Sequence, residues 1–362
     1  MSKRLLLVGA GHAHLEVLKQ LKSEWRERVD VCMITPSPYQ YYSGMFSGYT
    51  EGIYSEEEMR VDIRALARAA NVHLIQKKAA YLKADQQKVV CEDGAVYPFD
   101  VVSFYIGSKS SPASFEETAV QAIQPNYDFS TQIRELRETT MPLIVGGGAA
   151  GTELAMSLQT YKQNHQIPGQ VRLILSEGIL ADGPKWVSAK LRKLLKKKDI
   201  RIWENERVEE VFEGFVKTDK GNRVRHTGVL YLGGALGDPI FEKSSLAIDE
   251  RYFALIRSTL QFRDYDYIFG AGDCVTMIDL PQLEKRGVYA ARQGLVLWNN
   301  LKNYFSDKPL KSFAPQKKAL SILSTGGKKG FFIYGALHAH NQKAWQLKDK
   351  MDRAFMAKYK FP

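Results

Sequence analysis

Two glycine-rich segments hold the residues best suited to chemistry. Gly9-Ala10-Gly11-His12-Ala13-His14 follows an apolar run at 3–8, and Gly146-Gly147-Gly148-Ala149-Ala150-Gly151-Thr152-Glu153 follows one at 142–145. A strand that turns through glycine into a helix leaves free backbone amides at the helix N-terminus, where the helix dipole favours negative charge. The first glycine permits the tight turn, the second lets a pyrophosphate approach the backbone, and the third lets helix and strand pack closely. Each segment is expected to cradle a dinucleotide, so two dinucleotides are expected in all.

The second segment has all three fingerprint glycines, Gly146, Gly148 and Gly151, with Ala150 beside them. A helix is expected through Met156 and Leu158, and a strand at 171–175 begins about twenty residues after Gly151, as a βαβ unit requires. Glu153 is expected in the first helical turn, where a nicotinamide ring would lie. That strand leads to Ser176-Glu177. A carboxylate facing the adenosine ribose would repel the 2′-phosphate of NADPH, whereas Ser would tolerate it and Arg172 is a candidate phosphate ligand. NADH is favoured only slightly over NADPH.

The first segment departs from the fingerprint twice. His14 replaces the third glycine, which should loosen the helix against the strand while sparing the amides that meet phosphate. The strand at 29–34 leads to Thr35-Pro36, where an acidic residue would ordinarily receive the ribose hydroxyls; Thr35 keeps one hydrogen bond. His12 and His14, two apart on a helix, face different ways and join no Cys or His cluster, so no metal site is expected.

The remaining composition narrows the chemistry. Chemistry on disulfides or sulfide needs two close thiols, one to attack and one to resolve. Cys32, Cys91 and Cys274 form no CxxC pair. No apolar run approaches the roughly eighteen residues of a membrane-spanning helix or resembles a signal peptide, which leads to an expectation of a cytoplasmic protein. The net charge of +11 is concentrated late, with 13 Lys or Arg against 3 Asp or Glu in residues 301–362. A basic tail of this kind suits an anionic surface or is a solvated face. Nucleic acid is not expected as a partner, because few aromatics interleave with these charges.

Strand and helix patterns alternate along the chain, which predicts an α/β protein with two Rossmann-like doubly wound domains of parallel sheet. Tyr267 to Cys274 reads as an apolar strand ending Gly272-Asp273. Here the chain resembles the two-dinucleotide-domain flavoproteins, the pyridine nucleotide-disulfide oxidoreductase type. In these a late Gly-Asp places its Asp on the ribityl chain of FAD. Val101-Val102-Ser103-Phe104-Tyr105-Ile106-Gly107-Ser108 and the stretch 229–239, which contains Gly234, are similar to that family's strand-and-glycine crossings between domains.

The resemblance is closer to type II NADH:quinone oxidoreductases, and to a branch associated with selenide,water dikinase. It rests on residues 9–14 with Tyr42-Ser43-Gly44-Met45, on Gly287-Val288-Tyr289-Ala290-Ala291-Arg292-Gln293-Gly294, and on Trp345 to Asp349 with Asp352 to Met356. It implies FAD, with Ser43, Gly44 and Met45 flanking the flavin ring. Gly287, Val288 and Tyr289 would present a helix N-terminus to its pyrimidine end, where amides stabilise the negative charge of reduced flavin. It further implies an FAD domain at 1–109 and 242–325, an NAD(P)H domain at 110–241, and a tail at 326–362.

The tail is expected to hold a strand near 330–335 and an amphipathic helix near 343–360. Ala344, Trp345, Leu347, Met351, Ala354, Phe355, Met356 and Tyr359 fall on one arc of that helix, interrupted by Lys348, Asp352 and Lys358. Two readings stay open, packing on the core or insertion at a membrane interface, the latter as peripheral contact with the inner face of the cell membrane. The expected reaction is hydride transfer from NADH or NADPH to FAD and on to a quinone-type acceptor. Glu153 would position the nicotinamide, and Gln293 would line the acceptor side. Rival readings are reduction of a soluble electron-transfer protein, a step in selenium or sulfur metabolism, and a flavin-binding redox sensor. The oligomeric state, monomer or homodimer, stays open.

Overall fold

The computed structural model describes residues 2–21, 25, 29–109, 121–122, 126–285, 287–316, 320–335 and 337–360. Lys3–Val8 forms the first strand, and Leu5 to Val8 are all buried, a continuous apolar run rather than an alternating one. Such a run belongs to a parallel strand covered on both faces. It lies between Val29–Ile34 and Val101–Phe104, parallel to both. His73–Ile75 and Tyr265–Gly270 extend the parallel array on either side. Gln261–Phe262, Ala254–Ile256 and Val275–Met277 complete an eight-stranded sheet. Its members come from both ends of the sequence.

Residues between them build a second sheet of five strands, ordered Gln121–Ala122, Gly228–Tyr231, Pro142–Val145, Arg172–Leu175 and Arg201–Glu204. All its pairings are parallel. Helix Ala149–Asn164 runs from the end of the central strand, as His12–Gln20 does in the larger sheet. The expected pair of Rossmann-like α/β units is thus present.

His14 does the opposite of what its place in the motif suggests. Its side chain is fully buried, with Nδ1 2.6 Å from the Gly9 carbonyl and Nε2 2.9 Å from the Ser103 hydroxyl. Facing a carbonyl, Nδ1 carries the proton, and Nε2 accepts from Ser103. The imidazole therefore ties the helix to its own turn and to the neighbouring strand, and the expected loosening does not occur. Close packing is supplied elsewhere by Gly294 of helix Gly287–Phe305, where a Cβ would lie 2.9 Å from Glu16 Cβ and 3.1 Å from Ala13 Cα.

The C-terminal segment is an antiparallel sheet of Ser321–Ser324, Gly330–Tyr334 and Leu337–Asn341, followed by helix Gln342–Ala357. The Asn341 side chain caps this helix by accepting the Ala344 amide at 2.9 Å. The expected apolar arc is split. Ala344, Trp345 and Met356 are buried, but so is Asp352, while Leu347 and Met351 are exposed. The polar residues that interrupt the sequence pattern include part of the buried face.

Burial lowers the pKa of both His12 and His14 to about 4, the Gly9 carbonyl partly opposing this for His14. Both histidines are thus neutral when folded and take up protons on unfolding below about pH 6.5. Their stabilisation is complete above that pH and is lost as pH falls from about 6.5 towards 4, by up to about 1.4 kcal/mol per pH unit for each histidine. Denaturant titrations between pH 4.5 and 7 should show this slope, cut to about half in His14→Gln. At pH 7.5, His14→Ala should cost about 2–4 kcal/mol, since it leaves a cavity and strips Ser103 of its partner.

Candidate cofactor cleft

At the C-terminal ends of Lys3–Val8, Val29–Ile34 and Val101–Phe104 lies a cavity of about 950 Å³. Open α/β sheets place ligands at this edge, and the volume suits a large small-molecule site, for which roughly 300–1,000 Å³ is typical. Gly9, Gly11, His12, Thr35, Pro36, Ser43, Gly107, Ser108, Asp273 and Gly287 all line it. Gly9 holds φ +88°, and a Cβ there would fall 2.1 Å from the Tyr105 carbonyl oxygen. The turn therefore accepts only glycine.

His12 is 7% exposed, and its Nε2 has no hydrogen-bond partner. Its ring meets Tyr42 and Phe355 edge-on at 5.5 and 5.2 Å. An orphaned imidazole nitrogen on the wall of a cavity, at a helix N-terminus, is a polar group awaiting a ligand. One further residue, Tyr105, crosses the cradle. A Cβ on Gly11 would fall 1.6 Å from Tyr105 Cδ1, and one on Gly272 would fall 2.4 Å from its Cε2. The ring fills the space between the two glycine turns. Its place beside Gly107 was readable in the sequence, its orientation was not.

Not every expected residue reaches the cavity wall. Ala13 and His14 sit at buried contacts behind it, and Met45 is buried within the turn Ser43–Met45. Gly272 and Tyr289 line a neighbouring cavity of about 20 Å³, room for about one water, together with Asp273, Lys285 and Gln293. Burial raises the pKa of Asp273, and Lys285 opposes it. Gln293 is buried and its Oε1 accepts the Gly272 amide at 2.6 Å, so it braces the turn that presents Asp273. Val288, on the first turn of its helix, is exposed. Lys77 and Lys78, which the sequence reading missed, also line the large cavity while paired with Asp93 and Glu92.

The second glycine turn is open. Gly146 has φ +134° with the Leu232 carbonyl where its Cβ would be, at 2.6 Å. A Cβ on Gly151 would fall 2.1 Å from the Gly146 oxygen, and one on Gly148 would meet nothing within 4 Å. Gly148, Ala149 and Ala150 are partly or fully exposed at the start of a sixteen-residue helix, leaving its first amides accessible. Ser176 and Glu177 are exposed beyond the adjacent strand, and Gly234 is exposed near Arg251. Arg172 stands at the opposite end of its strand, where its guanidinium donates to the Arg225 carbonyl. It is too far from the turn to serve as the phosphate ligand considered above.

Glu153 lies just beyond the first turn of its helix rather than within it. Its Oε1 accepts the Ser324 amide at 2.5 Å, which ties it to the C-terminal sheet. Burial raises its pKa, and Lys348 is the largest opposing influence. Lys348 Nζ donates to Asp352 at 2.7 Å and to the Gly44 carbonyl, and the Tyr42 hydroxyl donates to Asp352 at 3.1 Å. Burial works against the charge on Lys348, but Glu153 and Asp352 outweigh it and hold the pKa above the usual lysine range. The C-terminal helix thus brings a buried cation to the turn at Ser43–Met45, a contribution visible in the sequence only as two polar residues breaking an apolar arc.

The thiols take no part in this arrangement. Cys91 and Cys274 are buried and Cys32 is half-buried. Burial raises all three pKa values, that of Cys274 to about 12, so each stays a protonated, weak nucleophile.

Two parallel nucleotide folds, each opening a glycine turn onto a helix, define the class of flavin- and nicotinamide-dependent oxidoreductases. The chain belongs to the pyridine nucleotide-disulphide oxidoreductase family, whose model matches residues 3–294, and it is an FAD- and NAD(P)H-dependent oxidoreductase. Ferroptosis suppressor protein 1 of Taeniopygia guttata is 26% identical over 283 residues, 70% of this chain and 69% of that protein. NADH dehydrogenase-like protein YutJ of Bacillus subtilis (strain 168) is 20% identical over 341 residues, 91% and 92% of the two chains. The fold is shared with NDH2 of Plasmodium falciparum in complex with NADH, at a TM-score of 0.83 and 12% identity over 99% of this chain and 98% of that one. It is also shared with the sulfide:quinone oxidoreductase of Aquifex aeolicus, at a TM-score of 0.81 and 18% identity over 99% and 91%.

Removing the ammonium alone from the buried group leaves Asp352 and Glu153 without their shared counter-charge. Lys348→Met should therefore lower stability by about 3–5 kcal/mol. Adding Asp352→Asn should restore part of that loss, as thermal denaturation of the single and double variants would report.

Proposed function

We propose that the chain carries FAD in the large cleft, accepts hydride from a nicotinamide dinucleotide held at Gly146–Gly151, and passes the electrons to a quinone. The reading rests on one observation: a glycine turn and helix N-terminus open into a cleft that runs past Asp273 and Gly287 to Ser43, beside the buried Lys348. On this reading residues 1–109 and 242–325 form the FAD domain, 110–241 the NAD(P)H domain and 326–362 the tail.

FAD, when bound, supplies the chemistry by taking up a hydride and releasing two electrons. The residues of the chain orient it and exclude water. The backbone amides after Gly11 and the orphaned His12 Nε2 would hold the pyrophosphate, Thr35 the adenosine ribose, and Asp273 the ribityl hydroxyls. Gly107 and Ser108 would flank the crossing strand, and Gly287 at its helix N-terminus would face the pyrimidine end. The Lys348 ammonium, fixed at the Gly44 carbonyl, would place positive charge beside the ring. Glu153 acts through Lys348 and Gln293 through Gly272, so both are positioning residues. Gly148 and Ala150 would receive the pyrophosphate of the nicotinamide dinucleotide, with Glu177 exposed near the far ribose to discriminate against a 2′-phosphate.

A quinone acceptor is supported by the relatives, which include a sulfide:quinone oxidoreductase of Dictyostelium discoideum, 21% identical over 99% of this chain. Oxidation of sulfide itself is disfavoured because Cys32, Cys91 and Cys274 are unpaired and two of them are buried, which leaves no attacking and resolving pair. A lipid surface is supported by Leu347 and Met351, exposed one turn apart on the last helix, and by Tyr334 and Leu337 exposed on the preceding hairpin. No described helix is long and apolar enough to cross a membrane, so contact would be peripheral.

The purified protein should show a two-band flavin absorbance that bleaches anaerobically with NADH and returns on adding a short-chain quinone. Absence of quinone turnover would remove the acceptor assignment. Replacing all three cysteines by Ala or Ser should leave that turnover within about twofold. Leu347→Glu with Met351→Glu should weaken sedimentation with anionic vesicles about tenfold or more, without changing the flavin spectrum.

A further inference from the structure

The side chain of Tyr105 occupies the space over Gly11, the fingerprint glycine through which a pyrophosphate approaches the backbone. It follows directly on strand Val101–Phe104, and its ring is pressed between two glycines from opposite ends of the sequence. Beyond the overlap at Gly11, its Cζ and Oη would lie 2.4 and 2.7 Å from a Cβ on Gly272. No other residue type at 11 or 272 would admit the ring in this position. Burial between these turns, with Asp273 nearby, disfavours ionisation of the Tyr105 hydroxyl. The neutral phenol ring thus stands at a helix N-terminus, a place that favours an anionic oxygen.

Tyr105 also forms part of the wall of the large cavity, which provides space into which the ring could turn. Beside it the His12 Nε2 is buried and unpartnered. The space at the helix N-terminus is therefore filled by an aromatic ring while a neighbouring polar atom goes unused. Ring and diphosphate cannot share the space over Gly11.

We propose that Tyr105 is a latch on the diphosphate cradle: its phenol closes the site between the Gly11 and Gly272 turns, and FAD binds only to the conformer in which the ring has rotated into the cavity. The proposal rests on the assignment of FAD to this cleft. Closure fills what would otherwise be a polar void and keeps the glycine turns packed without cofactor. It also reduces apparent affinity by the fraction of molecules that are open. For an open state populated at roughly 0.1–10%, that reduction is about tenfold or more.

The test follows flavin fluorescence quenching by stopped flow on cofactor-free protein, with the wild type, Tyr105→Ala and Tyr105→Phe. In the wild type the observed rate should saturate with FAD concentration, limited by opening. In Tyr105→Ala it should rise linearly, with affinity about tenfold or more higher. Tyr105→Phe, which keeps the bulk and loses the hydroxyl, should fall between them and guards against misfolding of the smaller variant. Equal rates and affinities in all three, or weaker binding by Tyr105→Ala and Tyr105→Phe, would overturn the latch, the latter making Tyr105 a cofactor ligand. If none of the three binds FAD while all remain folded by circular dichroism, the assignment of FAD to the cleft fails, and the latch with it.

Discussion

Both halves of the molecule depend on the same close approach of backbone to backbone. At Gly9 the carbonyl of Tyr105, and at Gly146 the carbonyl of Leu232, occupies the volume a side chain would need. In each sheet the crossing strand passes directly over the turn that opens the helix. This contact sets where the strand ends meet and how the helix N-terminus is aimed, and so where a pyrophosphate can be received. A Cβ at either position would push the crossing strand away and splay the sheet at its functional edge.

Much of this was legible in the sequence because it rests on local rules. Strand, glycine turn and helix follow one another within a dozen residues, and the late apolar strand ending Gly272-Asp273 carries a signal of its own. Residues read in this way, from Gly9 to Gly287, meet in one cleft although they come from opposite ends of the chain. The cleft's depth and contents were harder to foresee. Tyr105 lies in a segment recognised only for its glycine, and nothing in the sequence reports that its ring points into the cradle rather than away from it.

The less legible features share one physical cause: side chains that act across large sequence separations. His14 looked like a defect in the glycine fingerprint because the pattern speaks only of helix and strand volume. Its imidazole instead uses both nitrogens to join the Gly9 carbonyl to Ser103, 89 residues away. Lys348 and Asp352 interrupted an otherwise apolar helical arc, and a hydrophobic periodicity cannot distinguish a polar residue facing water from one paired in the interior. Their partners, Gly44, Tyr42 and Glu153, lie roughly 200 to 300 positions earlier. Conversely, Leu347 and Met351 satisfied the pattern and yet remain outside.

The buried ammonium of Lys348 ties the turn at Ser43–Met45 to a helix about 300 positions away in sequence. Lys348 meets the Gly44 carbonyl and Asp352, and it opposes the effect of burial on Glu153. Were helix Gln342–Ala357 to move off the body, both carboxylates would lose the counter-charge they share. Its seat is therefore held by electrostatics as well as by apolar contact, and the turn beside Gly44 is anchored from the far end of the sequence.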